Sequence, residues 1–283
     1  MTTSVADTAQ DLTVDAPSAT FTYRRLGPRS GVPIVLLQRF RGTIDHWDPG
    51  FLDLLAAEHD VIVFDNVGIG YSTGEPRDSP EGFADGAAEF IEALGLDRVD
   101  LLGWSLGGVV AQQVTLRRPD LVRRLVVAGS GPGPVPGTAP MSERVLGIMA
   151  KPTTDDQDDM LYLFYPETDG ARAAGRAHLA RIGRRLRQGG PQVSPAAVKG
   201  QLEAVRKAMS VPFDRVRANL EAIKQPALFA NGVHDVMVPA MASYVAVQHL
   251  DSAVLVLYSD AGHGFLFQHA KQFVAEVTTF LSR

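Results

Sequence analysis

The sequence predicts an α/β protein: a mostly parallel sheet flanked by helices, with a helical insertion late in the chain. Three observations lead there. Six short runs rich in Val, Ile, Leu and Phe lack clean apolar–polar alternation, as strands covered by helices on both faces do. Most of the runs start 26 to 38 residues apart, the span of a strand plus a crossover helix. One spacing breaks the pattern, because the fourth run starts at residue 125 and the fifth at residue 227.

The runs lie at residues 34–37 (IVLL), 61–64 (VIVF), 99–102 (VDLL), 125–128 (LVVA), 227–230 (ALFA) and 254–257 (VLVL). Turn residues bound each, and right-handed crossovers are expected between them. Between Ser79 and Gly95 the apolar residues Phe83, Ala87, Phe90, Ile91 and Leu94 recur at helical spacing; Ser79-Pro80 opens that helix and Gly95 closes it. A second helix runs from Ser105 to Arg118 and stops at Pro119. The long spacing holds about 75 residues more than a crossover needs. It opens on GSGPGPVPG at 129–137, a Gly/Pro loop, and continues with helical patterns near 141–150, 156–165, 170–188 and 195–210. This segment reads as a helical cap over residues 136–213, with residues 1–135 and 214–283 forming the core around it. A last helical pattern covers Phe265 to Leu281.

Composition narrows the chemistry. The chain has 283 residues, 45% hydrophobic and 21% charged, with no Cys. That removes a thiol nucleophile, a thiolate metal site and disulfide bridges together, so a nucleophile must be oxygen or nitrogen. A net charge of −5 argues against nucleic acid as partner. The first 20 residues hold three Asp and no apolar run of signal-peptide length, and no later run approaches the roughly 18 residues of a membrane span. The expectation is a soluble, cytoplasmic protein acting on a small molecule without metal or cofactor; a homodimer is compatible with the sequence and not argued from it. HExxH and clustered His patterns are missing, which disfavours a metal-dependent hydrolase.

The third run leads directly into Gly103-Trp104-Ser105-Leu106-Gly107-Gly108, a GxSxG turn between a strand and a helix. A sharp strand-to-helix turn forces the Ser into strained angles and holds its hydroxyl clear of the sheet, so flanking positions must be nearly free of side chain. The helix that follows aims its positive end at the same place. A Ser hydroxyl needs a base. His263, in the loop Ser259 to Gly264 just after the last run, is the natural one; His269 falls in the terminal helix, His249 precedes its strand, His234 adjoins the acid, and His46, His59 and His178 read as structural. Asp235, in the loop after the fifth run, suits the acid that orients the His. Asp260 reads as a turn former and Asp65 as the cap of a turn through Gly70.

These features resemble the α/β hydrolase superfamily, over essentially residues 20–283. DNVGIGYS at 65–72 resembles its DxRGxGxS stretch, GWSLGG its elbow, GVHDVMVP its acid loop and DAGHG its His loop. The resemblance implies the α/β hydrolase fold and a Ser105, Asp235, His263 triad. It also implies an oxyanion hole from the backbone N–H groups of Phe40 and Leu106. Here the chain departs from the usual pattern: Gln38-Arg39 stands where the family has His-Gly, so Arg39 would need a conformation that Gly accepts more readily. Val67 replaces the usual Arg of DxRGxGxS.

The resulting expectation is a serine hydrolase cleaving a carboxylic ester or lactone of a largely apolar, uncharged molecule through an acyl-enzyme. Perhydrolase and C–C bond hydrolase chemistry use the same triad, and a non-catalytic ligand-binding protein on this fold is a further alternative. Phe40, Trp104 and Phe265 are the expected substrate-binding residues, with part of the cap's Met141 to Tyr165 apolar set. Cap charge is segregated: Asp155, Asp156, Asp158, Asp159, Glu167 and Asp169 precede seven bases between 170 and 202. Attraction between two solvated helices is the plain reading. An Arg181, Arg184, Arg185 gate for anions is the alternative, and Arg39 and Arg41 are better placed should a carboxylate be recognised.

Overall fold

The computed structural model describes residues 4–153 and 156–283. In chain order the strands are β1 (Leu12–Asp15), β2 (Thr20–Leu26), β3 (Ile34–Leu37), β4 (Val61–Phe64), β5 (Val99–Trp104), β6 (Val122–Ala128), β7 (Ala227–Gly232) and β8 (Ala253–Tyr258). The helices are α1 (Val5–Thr8), α2 (Pro49–Ala56), α3 (Pro80–Ala93), α4 (Leu106–Arg117), α5 (Glu143–Met149), α6 (Gln157–Phe164), α7 (Asp169–Leu186), α8 (Pro195–Met209), α9 (Phe213–Ala222), α10 (Ala240–Val247), α11 (Phe265–Gln268) and α12 (Ala270–Leu281).

Each of the six apolar runs lies within one of the strands β3 to β8, which pair in parallel in the order β4-β3-β5-β6-β7-β8. Their side chains alternate between two cores. Ile34, Leu36, Val61, Val63 and Leu102 pack into one with α2 and α12, while Val35, Leu37, Ile62, Phe64 and Leu101 pack into the other with α3 and α4. Both faces are covered, which is why the strand sequences do not alternate. β1 and β2 extend the sheet in antiparallel sense beyond β4 and were not anticipated. β1 is mostly exposed and β2 (TFTYRRL) mixes buried and half-exposed positions, so neither presents a continuous apolar run.

Strand order reverses between β3 and β5, since β4 lies on one side of β3 and β5 on the other. The carboxyl ends of strands flanking such a reversal bound a crevice, where ligands bind in open α/β sheets. The loop after β3 and the turn after β5 meet there.

Helices α5 to α8 are inserted between β6 and α9. Each starts on a side-chain cap: Ser142, Asp156, Thr168 and Ser194 accept hydrogen bonds from the first-turn N–H groups. The segregated charge is spent largely differently from either reading of the sequence. Arg181 pairs with the buried Asp48 at 2.6 Å, Arg184 pairs with Asp7, and Arg185 donates to the carbonyl oxygens of Asp7 and Ala9. Arg181, Arg184 and Arg185 therefore clamp α2 and the N-terminal segment, and of the expected attraction between the two charge runs the Glu167–Arg172 pair is what the described residues show. Of the acidic run, Asp159 pairs with Lys151 and Glu167 with Arg172, while Asp155 lies outside the described residues. The terminal helical pattern breaks in two at His269, whose backbone leaves the helical region and whose Nε2 meets Asp260 Oδ1 at 2.9 Å. No described helix is long and apolar enough to cross a membrane.

Candidate active site

Ser105 stands between β5 and α4 with φ 57° and ψ −123°, a left-handed conformation that a residue with a side chain rarely adopts. Its N–H donates to Ala128 O at 2.9 Å, so the turn is still anchored on β6. The flanking glycines are required by contact. A Cβ on Gly103 would lie 2.2 Å from Gly107 O, one on Gly107 would lie 2.1 Å from Leu37 O, and one on Gly108 would lie 2.5 Å from Ser130 Cβ. The absence of those three atoms lets α4 sit close enough to direct its N-terminus at Ser105.

His263 and Asp235 reach the same place from the loops after β8 and β7. Their side chains are fully buried, and His263 Nδ1 lies 2.7 Å from Asp235 Oδ2. Asp235 Oδ1 accepts from the N–H groups of Met237 and Val238 at 2.8 and 2.9 Å, which fixes the carboxylate's plane. With the carboxylate as acceptor, Nδ1 carries the proton and Nε2 presents its lone pair. That Nε2 is buried and has no hydrogen-bond partner among the described residues. A glycine again permits the approach: a Cβ on Gly232 would lie 2.3 Å from Gly262 O. The His loop is further held by Trp104 Nε1–H donating to His263 O at 3.2 Å and by Gly264 N–H donating to Phe164 O at 2.8 Å.

The loop after β3 carries Gln38 to Gly42. Arg39 N–H donates to Gln38 Oε1, Arg41 N–H to Gln201 Oε1 of α8, and Gly42 N–H to Arg39 O. Among the described residues, neither the Phe40 N–H nor the Leu106 N–H donates a hydrogen bond. The strained position is Arg41, with φ 56°, and not Arg39; the bond to Gln201 holds it there. Arg39 points inward and is 6% exposed. Its guanidinium lies 5.7 Å from the Trp104 ring centre and 5.3 Å from that of Phe164, and Nη1 donates to Phe40 O at 2.7 Å. Burial, then the charge of Arg41, push its pKa down to about 10.

These residues open on one cavity of about 1180 Å³, its mouth included, whose wall holds Ser105, His263, Phe40, Leu106 and Arg39. The rest of the wall is mostly apolar and comes from four sources: Val109 of α4, the loop after β6, the inserted helices, and the Asp235 loop with α10. Five of the chain's seven methionines, Met141, Met149, Met160, Met209 and Met237, line it. Of the expected substrate contacts, Phe40 is on the wall; Trp104 and Phe265 are not. Trp104 is fully buried against Phe164 and Phe267, and Phe265 against Tyr258 and Phe273. Both fill the core behind His263. The contributions of α8 and of Met237 to Pro239 were missed, because an apolar residue on a helix or in a loop carries no sign of which cavity it faces.

Two histidines, the buried His178 and the half-buried His46, stand apart from the cavity wall. His178 Nδ1 lies 2.5 Å from Tyr165 Oη, and burial, with the charges of Arg181 and Arg39, holds its pKa well below the usual value. His46, through Nδ1, meets Thr43, and burial with Arg39 depresses it likewise. Asp65 accepts from the N–H groups of Ile44 and Tyr71, and burial raises its pKa to about 7. Among the described residues no three His, Asp or Glu side chains converge as metal ligands do.

Residues 32–270 match the model of the family described as alpha/beta hydrolase fold. A pimeloyl-[acyl-carrier protein] methyl ester esterase from Nitrosomonas europaea is 28% identical over 250 residues, covering 87% of this chain and 94% of its own. A 2-hydroxymuconate semialdehyde hydrolase from a Pseudomonas species is 25% identical over 89% of this chain and 88% of its own. Among solved structures, an alpha/beta hydrolase fold protein from Chitinophaga pinensis superposes with a TM-score of 0.87 at 29% identity, covering 98% of each chain.

Proposed function

Because this chain belongs to the alpha/beta hydrolase fold family, we propose that it is a serine hydrolase that cleaves a carboxylic ester or lactone of a largely apolar small molecule. One observation carries the reading: the buried His263–Asp235 pair leaves Nε2 unpartnered on the same cavity wall as the strained Ser105. An imidazole in that tautomer is a base in search of a proton.

In this mechanism His263 Nε2 takes the Ser105 proton as Oγ bonds to the substrate's carbonyl carbon, and Asp235 stabilises the resulting imidazolium. The tetrahedral oxyanion accepts from the Phe40 and Leu106 N–H groups, which are otherwise unspent, at the positive end of α4. The carbon–oxygen bond to the alcohol breaks as His263 returns the proton to it. Water, deprotonated by the same nitrogen, then hydrolyses the acyl-enzyme. The inserted helices act as a cap, and the methionines give a soft wall that adapts to irregular apolar shapes.

C–C bond hydrolysis by the same residues is the second reading, favoured by the likeness to the 2-hydroxymuconate semialdehyde hydrolase. Hydrolysis of p-nitrophenyl butyrate by the wild type, against Ser105→Ala, tests the first. Equal rates for the two proteins would overturn it, and cleavage of vinylogous diketones without any ester turnover would favour the second.

A further inference from the structure

The mechanism above gives no task to Arg39. We propose that Arg39 is an anion-recognition residue, so that the substrate is an ester or lactone carrying one carboxylate on its otherwise apolar body. The inference rests on the hydrolase reading for the reaction, and on its own observations for the charge.

A buried cation ordinarily has a carboxylate partner, because removing a guanidinium from water costs several kcal/mol that a counter-charge must offset. Arg24 obeys the rule, lying between Asp11 and Asp45 at 2.5 and 2.7 Å. Arg39 is as deeply buried and has no such partner among the described residues. Its charged neighbours are of the wrong kind: Arg41 is a cation, and His46 and His178 are neutral imidazoles whose pKa values Arg39 itself lowers. One donor, Nη1, is spent on Phe40 O, while Nε is buried with no acceptor. The guanidinium does not wander to find one, since the Trp104 and Phe164 rings lie against it. A rigid fork with unspent Nε–H is the arrangement that binds a carboxylate side-on through two parallel hydrogen bonds.

Among the described residues nothing supplies that counter-charge, and the cavity is the way in for a ligand that does. Arg39 lines its wall together with Ser105 and His263, and among the described residues no Asp or Glu is on that wall. Arg39 also adjoins Phe40, the residue whose N–H is assigned to the oxyanion. A carboxylate on Arg39 therefore sits within one small molecule's reach of the scissile carbonyl. The remainder of the molecule meets methionine and other apolar side chains, which makes the site amphipathic: one fixed cation on an apolar wall.

The experiment compares monomethyl with dimethyl esters of dicarboxylic acids from succinate to suberate. Wild type is expected to favour one half-ester over its diester by at least about tenfold in kcat/KM, the worth of one charge-assisted pair. Arg39→Met is expected to collapse that ratio, and Arg39→Lys to restore part of it. A wild-type ratio near one, or parallel losses on both ester types in Arg39→Met, overturns the proposal, the latter assigning Arg39 to the oxyanion or to folding. A second measurement does not depend on turnover: calorimetric titration of the Ser105→Ala protein with the matching dicarboxylate and with its diamide. Binding of the diacid alone supports the site even if no ester is hydrolysed, in which case only the hydrolase reading falls. Equal binding of both, or of neither, sinks the anion site and leaves that reading intact.

Discussion

Replacing Asp235 by Asn keeps the side chain's shape and exchanges one oxygen for an amide nitrogen, and the surroundings dictate which oxygen goes. Oδ1 accepts from two backbone N–H groups, those of Met237 and Val238. The Asn carbonyl must take that position, which puts the amide NH₂ where Oδ2 stood, 2.7 Å from His263 Nδ1. Two donors cannot face each other, so the imidazole proton moves to Nε2, the nitrogen that accepts the Ser105 proton in the proposed mechanism. Restoring the productive tautomer requires flipping the Asn, which leaves two partly buried N–H groups without an acceptor at about 1–3 kcal/mol each. The combined penalty of about 2–6 kcal/mol corresponds to a fall in kcat of about 30-fold to 10⁴-fold, at about 1.4 kcal/mol per factor of ten. The assay is kcat for a chromogenic ester at neutral pH, with thermal unfolding to show that the variant is folded. A folded Asp235→Asn enzyme within about threefold of wild type would refute the argument, because the tautomer would then not depend on this contact.

Gly108→Ala adds a Cβ 2.5 Å from Ser130 Cβ and 2.7 Å from its Oγ, so overpacking outweighs the gain in helix propensity and stability falls by about 1–2 kcal/mol. Urea unfolding reads it, and Ser130→Gly in the same chain should recover most of the loss; a rise in the midpoint for the single variant would contradict the packing. His178 is buried with its pKa well below 6.5, so the unfolded chain binds the extra proton and stability conferred by neutral His178 is lost as pH falls below about 6.5. Asp65 works in the opposite sense, since its carboxyl at about 7 binds a proton in the folded state first and favours folding as pH falls through about 7 toward the ordinary carboxylate value. His178→Gln keeps a polar partner for Tyr165 and should lose less stability than wild type between pH 6.5 and 5.5, by up to about 1.4 kcal/mol. Parallel stability curves for the two proteins would show that His178 is charged in the folded state.

The parallel strands were legible because burial on two faces leaves nothing but apolar residues to write them with. β1 and β2 were not, since an edge strand half open to solvent is written in the same mixed residues as a loop. The turn at Ser105 and the loops of Asp235 and His263 were legible from spacing, because sterics leaves few residue choices at each. The wall of the cavity was not. Trp104 and Phe265 are as aromatic as Phe40, and whether such a ring fills a core or faces a ligand depends on which elements the fold stacks against it. Arg39 was visible as a departure from the family's pattern, but its lack of an acidic partner among the described residues is a property of the folded arrangement alone.

The inserted helices hold two of the loops that form the candidate site: Gln201 of α8 receives the Arg41 N–H, and the carbonyl of Phe164 at the end of α6 receives the Gly264 N–H. The insertion is therefore no interchangeable module. A chimera that borrowed these helices from a relative to change substrate range would also re-aim the amide next to Arg41 and the ring of His263, so altered selectivity and altered turnover should arrive together. Directed evolution of this scaffold would do better to vary the methionines and leave Gln201 and the Phe164 backbone as they are.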